Sequence, residues 1–207
     1  MTLSPYHQNY LSRSDEELSR RADVKEMELV KIFVASPFAP VSDVVRVAVL
    51  GCADHRMVSA HKRIFEKLLR KQVKLTTFDV TIEHLAGEEG VLQHDLTTPF
   101  PGAPYDIAFG HVVLKFIEME KQWDVLKNSY DAIGQGGMVI HVFDLEEIEA
   151  TTERISGGCY ALPLNRWKGS LDDAGINYQD VRWNIDLGEI PIGIRGLRGG
   201  ALILRKP

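Results

Sequence analysis

The sequence predicts an α/β fold: a seven-stranded, mostly parallel sheet with an antiparallel strand near the C-terminal end and helices on both faces. Three observations carry that expectation. Short runs of β-branched and aliphatic residues alternate with segments of helical period, the pattern of a parallel sheet covered on both sides. The first run, "VVRVAVL" at 44–50, ends in Gly51 and passes through a short polar loop into a helix. The last two runs, 178–186 and 200–206, have no helical segment between them and should pair antiparallel.

Each element follows from its local pattern. Ser14 with Glu17 three residues later is a capping-box signature, and Asp15 and Glu16 suit the positive end of a helix. Leu18, Met27, Val30, Phe33 and Val34 supply an apolar stripe of helical spacing, and "SPFAPVSD" at 36–43 breaks the helix with two prolines. Residues 1–43 therefore read as a helical arm and 44–207 as the main domain, with the arm packing near the strand carboxyl ends. A strand at 44–50 is followed by a helix at 57–71, in which Met57, Ile64, Phe65, Leu68 and Leu69 recur at helical spacing. Strands are expected at 73–80, 90–93, 105–110 and 136–144, with a helix over about 118–133. The segment 187–199 is too irregular for a crossover helix.

Composition narrows the function. A chain of 207 residues suits one domain with a sizeable core. No apolar run approaches the ~20 residues that span a bilayer, and the opening residues lack the charged-then-apolar design of a signal peptide. Cys52 and Cys159 form no disulfide framework, which fits a reducing, cytoplasmic setting. A net charge of -5 argues against nucleic acid as a partner. The one basic run, "KRIFEKLLRKQVK" at 62–74, reads as the solvated face of a helix. Cys52, Asp54, His55 and His61 contain a single Cys-x-x-His without a second pair, so no metal is expected.

In an open parallel sheet, ligands sit beyond the carboxyl ends of the strands, where the chain order reverses. Gly51 lets the backbone turn and approach a ligand closely, or simply makes a tight turn. Asp79 ends the second strand and can accept from a ribose diol or cap the next turn. Asp95 can accept from an adenine amino group or close an Asx-turn. His111, at the end of the fourth strand, is the candidate proton acceptor, with a packed core histidine as the alternative.

The order of these motifs resembles the class I S-adenosylmethionine-dependent methyltransferases, with their Rossmann-like sheet. "VLGCADHR" is similar to their glycine-rich first motif, and "FDVT" to their ribose-binding acid. "VLQHDLTTPFPGAPYDIAFGHVVLKFI" resembles the stretch from adenine-binding acid to fourth strand, and "SYDAIGQGGMVIHV" the turn into the fifth. "LDDAGINYQDVRW" and "GALILRK" match the last helix and terminal hairpin, so the resemblance covers about 44–207. It implies S-adenosylmethionine as cofactor, contacted by the loop residues Gly51, Cys52, Ala53 and His55, by Asp79, by Asp95 and Leu96, and by Gly110. It also implies a small-molecule methyl acceptor, with His111 as the base and acceptor contacts from the helical arm and from 145–170, where Tyr160, Arg166 and Trp167 are candidates.

The chain departs from the family pattern at Val49, where an acid is usual, and at Ala53 and His55, where later glycines are usual. Two readings of His55 stand: its ring donates to the cofactor carboxylate beside Arg56, or it blocks the pocket. The alternative function is accordingly a methyltransferase-like protein without catalysis that serves as a binding or regulatory partner. An NAD-dependent dehydrogenase would need the second and third glycines that this loop lacks. No hydrolase elbow or phosphate-binding loop motif is present.

Overall fold

The computed structural model describes residues 5–148, 150, 152–155, 158–185 and 197–207. Its strands are β1 (Val44–Leu50), β2 (Gln72–Asp79), β3 (Val91–Gln93), β4 (Tyr105–His111), β5 (Ile133–Asp144), β6 (Asn177–Ile185) and β7 (Leu197–Arg205). The described residues form one seven-stranded sheet in the order β3-β2-β1-β4-β5-β7-β6. Neighbours from β3 to β5 pair parallel, and β7 pairs antiparallel with both β5 and β6. β7 is thus the one reversed strand. The chain runs outward from β1 through β2 to β3, then returns to the other side of β1 as β4, so the order reverses between β1 and β4.

The expected strands differ from these by a residue or two, except that β7 begins at Leu197 rather than 200 and β5 also starts early. It begins at Ile133 rather than 136, because Gly136 (φ +72) bends the backbone inside the strand and lets pairing with β4 start early. Its run Met138–Phe143 is buried on both faces, and β4 and β1 likewise read as nearly continuous apolar runs.

The helices are α1 (Pro5–Leu11), α2 (Asp15–Ala35), α3 (His55–Leu69), α4 (Met119–Asp131), α5 (Leu145–Ile148) and α6 (Leu164–Asp173). Two separate clusters show that both faces are covered. One joins Leu29 and Ile32 of α2 and Ile64 and Phe65 of α3 to β1, β4 and β5. The other joins Val125 and Leu126 of α4 and Trp167 and Leu171 of α6 to the opposite face. The basic run at 62–74 lies mostly on the exposed side of α3, with Lys62, Arg63, Lys67 and Arg70 in solvent. Between β2 and β3 the described chain has only the short turn Glu83–Leu85, and between β3 and β4 it has no helix.

α2 carries the capping box as expected: Ser14 Oγ accepts from Glu17 N, and Glu17 accepts from Ser14 N at 2.9 Å. Its buried face differs from the expected stripe. Leu18, Glu28, Leu29 and Ile32 turn inward, whereas Met27, Val30 and Val34 are exposed, Val34 at 76%. Inward places in the helical period are taken by Lys25, which meets His61, and by Glu28, which meets His111. The helix runs down the sheet from Asp15, which meets Arg56 at the start of α3, to Ser36, which meets Arg205 at the end of β7. Arg205 is at the opposite end of the sheet from the parallel strands' carboxyl ends, because β7 is reversed. The expectation for 187–199 falls largely on residues outside those described.

Candidate active site

The loop after β1 is held by backbone bonds. Gly51 has φ +78, in the left-handed region that favours glycine, and its N–H donates to Phe78 O at 2.7 Å. Cys52 N donates to Asp79 Oδ2 at 2.9 Å, and Thr81 N donates to Asp79 Oδ1 at 3.1 Å. The acid of β2 therefore ties the first loop to the second. Each oxygen uses one lone pair and keeps another for a further donor. His84, buried in the Glu83–Leu85 turn, donates through Nε2 to Cys52 O at 2.7 Å, a brace that the sequence did not reveal. Cys52 is buried, and burial pushes its thiol up to about 11.

Asp54 caps α3, accepting from Arg56 N at 2.9 Å, and its buried carboxyl also takes Arg56 Nε and Nη2. Burial opposes the charge on Asp54, but these donors hold its pKa below the usual value. Arg56 further reaches Asp15 at 2.6 Å, so its guanidinium fastens the start of α2 to the loop. His55, exposed at 48% of its side chain, faces Glu88 at 3.5 Å. It lines a cavity of about 430 Å3 on the α2–α3 side with Ser19, Arg63 and Glu88. Ala53 is half-buried in the loop.

Asp95 is exposed, and its Oδ1 accepts from Thr97 N and Thr97 Oγ1 in an Asx-turn. The Thr97 backbone bond leads in lowering its pKa. Leu96 is buried beside Phe78 and Phe100 in the core. Gly110, paired with Leu50 of β1, sits at the reversal of chain order. A Cβ there would meet His141 Nδ1 at 2.7 Å and Val113 Cγ1 at 3.0 Å, and one at Gly51 would meet Val113 Cγ2 at 2.9 Å. Val113 thus stands against both glycines, in the crevice between β1 and β4.

Next to Gly110, His111 Nε2 lies 2.8 Å from Glu28 Oε2, so the neutral ring donates there and keeps a lone pair on Nδ1. Burial and the Lys25 ammonium hold the His111 pKa below its usual value, against the pull of Glu28. Lys25 Nζ is 3.0 Å from Nε2 of His61, a buried ring whose pKa burial and Lys25 lower strongly. Val112 follows at φ +55, an outlier for a β-branched residue, with its N–H held by Val142 O at 2.9 Å. Such strain persists only where surrounding contacts enforce it.

His111 and Val112 form part of the floor of a cavity of about 290 Å3 that α1 and α2 roof over. Its other walls include Lys115, beyond the end of β4, and Asp144, the last residue of β5. Behind them, Lys115 meets the buried Glu147 at 2.8 Å, and burial pushes that carboxyl up to about 7. The sequence-level candidates Tyr160, Arg166 and Trp167 are not in this cavity. Trp167 is core, Tyr160 bonds Arg154 at 2.8 Å, and Arg166 lines a second cavity with Met119, Glu153 and Arg182. Among the described residues no three His, Cys, Asp or Glu side chains are grouped to hold a metal ion. Glu28, Lys25 and Val113 are the site residues that sequence reasoning missed.

No family model and no curated protein matches the chain. Solved structures do. A chain of the complex between the Haloferax volcanii Trm112 methyltransferase activator and the putative methyltransferase matches at TM-score 0.64 and 12% identity, covering 100% of each chain. A SAM-dependent methyltransferase from Archaeoglobus fulgidus matches at 0.61 and 13%, covering 89% of this chain and 94% of that one. The N-methyltransferase NodS from Bradyrhizobium japonicum, solved with S-adenosyl-L-homocysteine, matches at 0.53 and 14%, covering 96% and 91%. The chain has the class I S-adenosylmethionine-dependent methyltransferase fold.

Proposed function

We propose that this chain binds S-adenosylmethionine in the crevice between β1 and β4 and methylates a small molecule held in the cavity under α1 and α2. One observation carries this reading: the end of β4 serves both sites. Gly110 faces the crevice beside Gly51, and the next residue, His111, lines the roofed cavity. A methyl donor on one side and an acceptor on the other would meet at that strand end.

The residues present suit the group. Gly51 and Gly110 offer backbone without a Cβ, and Asp79 keeps acceptor capacity for a ribose diol beyond its two backbone bonds. Val113 must turn aside to clear the crevice. S-adenosylmethionine, when bound, supplies a sulfonium methyl group. Holding the acceptor in line with that methyl can provide ~7–11 kcal/mol of the barrier. His111 Nδ1 takes the acceptor's proton where the nucleophile must lose one, and the Glu28 carboxylate orients the ring and offsets the positive charge it gains.

The test is calorimetric titration with S-adenosylhomocysteine, followed by release of S-adenosylhomocysteine from S-adenosylmethionine in the presence of candidate acceptors. Saturable one-site binding is expected, and no binding at all would overturn the reading. A second reading has its own observation: Val113 packs against both glycines, as in a crevice that has closed. On that reading the chain is a non-catalytic, methyltransferase-like binding partner, and wild type shows neither binding nor turnover.

A further inference from the structure

The cavity under α1 and α2 has an unbalanced charge. Four cations line it, Arg13, Arg21, Lys25 and Lys115, against two carboxylates, Glu28 and Asp144. Both carboxylates are already engaged: Glu28 holds His111 at 2.8 Å, and Asp144 lies 3.6 Å from Lys115, which also has Glu147. Arg13 has Glu17 at 3.7 Å. Arg21 and Lys25 make no salt bridge among the described residues. This local excess of positive charge occurs in a chain whose net charge is -5, so it is not a reflection of overall composition.

The geometry of these cations is that of held donors rather than of solvated side chains. The guanidiniums of Arg13 and Arg21 both stack on Tyr10, at 5.2 and 5.0 Å from its centroid, and Arg21 Nη1 donates to Tyr10 Oη at 3.0 Å. Glu17 acts on both guanidiniums and offsets part of their mutual repulsion, which leaves Arg21 and Lys25 as the cations of the cavity without a salt bridge among the described residues. Arg13 Nε is a buried donor with no acceptor. Lys25 spends one of its three N–H donors on the neutral ring of His61 and keeps the others. Burying such donors without an acceptor is costly, and a ligand oxygen would supply one.

We propose that the cavity binds a small organic anion, carboxylate or phosphate, whose charged oxygens lie between Arg21 and Lys25 with the rest of the molecule toward His111. A volume of about 290 Å3 limits it to roughly one ring or a short chain. As the identity of the methyl acceptor, this rests on the methyl-transfer reading above; as a binding site, it stands on the cavity alone.

The test uses benzoate and phenyl phosphate as probes and benzamide as the neutral match, with the imidazole resonances of the full chain followed by NMR. The His111 signal is assigned by its loss in His111→Asn. Both anions should shift it saturably and raise its pKa, because a negative group beside an imidazole favours the protonated form. Benzamide should not. Arg21→Gln and Lys25→Gln should each weaken the anions at least fivefold, and higher salt should weaken them further. Equal response to benzamide, no response to either anion, or full affinity in both variants would overturn the proposal. If only one of the two anions binds, the site is assigned to that oxo group. Titration with S-adenosylhomocysteine on the same samples separates the two readings. Anion binding without it leaves this site and removes methyl transfer, whereas cofactor binding without anion binding removes this site alone.

Discussion

Glu28 of α2 and His111 at the end of β4 are joined at 2.8 Å, although 83 residues separate them in the chain. The bond fixes which nitrogen of the ring carries the proton. It also makes a helix outside the sheet part of the candidate chemistry.

Glu28→Gln keeps an acceptor for His111 but removes the charge. The pKa of His111 should fall further, since Glu28 is the larger of the two influences that raise it, ahead of Asp144, and NMR titration of the imidazole reads this directly. With an acceptor that must lose a proton, kcat should drop by roughly tenfold or more while cofactor affinity is unchanged. A His111 pKa unmoved by the substitution would remove Glu28 from the mechanism.

Two buried histidines, His61 and His141, and the half-buried His111 should set the acid limit of stability. His61, His111 and His141 all have pKa values lowered first by burial, to about 3 for His141. The unfolded chain binds protons on these rings below pH ~6.5 while the folded chain resists them, so stability falls as pH falls from there. A ring kept neutral costs ~1.4 kcal/mol per pH unit in that window. Glu147 works in the opposite direction between its ordinary value of 4.5 and about 7, where the folded state holds a proton that the unfolded state has lost. Denaturant midpoints measured from pH 7 to pH 4 should decline, and His141→Leu should flatten the decline by one proton's slope.

Gly51→Ala should destabilise the fold by about 1–2 kcal/mol through its positive φ, with a further cost from the Val113 contact. Adding Val113→Ala relieves the contact but not the backbone strain. The double variant should therefore recover only part of the lost Tm, and full recovery would show that the conformation of Gly51 is not strained by a side chain.

Asp79→Ala strips the acceptor from two backbone N–H groups, those of Cys52 and Thr81. Thermal stability should fall, since each unsatisfied buried donor costs ~1–3 kcal/mol. S-adenosylhomocysteine affinity should fall at least tenfold, or ~1.4 kcal/mol. A lower Tm with unchanged affinity would mean that Asp79 only clamps the loops together.

Val113→Ala opens the space in front of Gly51 and Gly110. Cofactor affinity should rise several-fold, because the wild-type chain must first move that side chain. Loss of affinity in this variant would mean instead that Val113 is a wall the ligand packs against.

The sheet was legible because β-branched runs ending in glycine or a charged residue mark buried parallel strands, and all seven were placed within one to three residues at most ends. The inward face of α2 was not. Periodicity counts apolar residues, and at Lys25 and Glu28 the helix turns charged side chains inward to meet His61 and His111. A charged pair three residues apart within an apolar stripe was the available signal. Likewise, Asp79 and Asp95 were marked by their strand ends, but sequence could not say that one buries its carboxylate against backbone and the other folds into an Asx-turn. Nor could it place Val113 beside Gly51, since that contact is set by how the β4 end folds back over β1.

Ser36 at the foot of α2 accepts from Arg205 near the very end of the sequence, 169 residues on. During synthesis α2 leaves the ribosome well before β7, the inner strand that anchors its foot. Contacts of such long range make folding slow, because loop closure precedes their reward. The foot of the helix is tied down only when β7 has entered between β5 and β6, although Leu29 and Ile32 also pack on α3 and the earlier strands. A chain cut short before β7 would keep the tie of Asp15 to Arg56 at the cavity end of α2 and lose the tie at its foot.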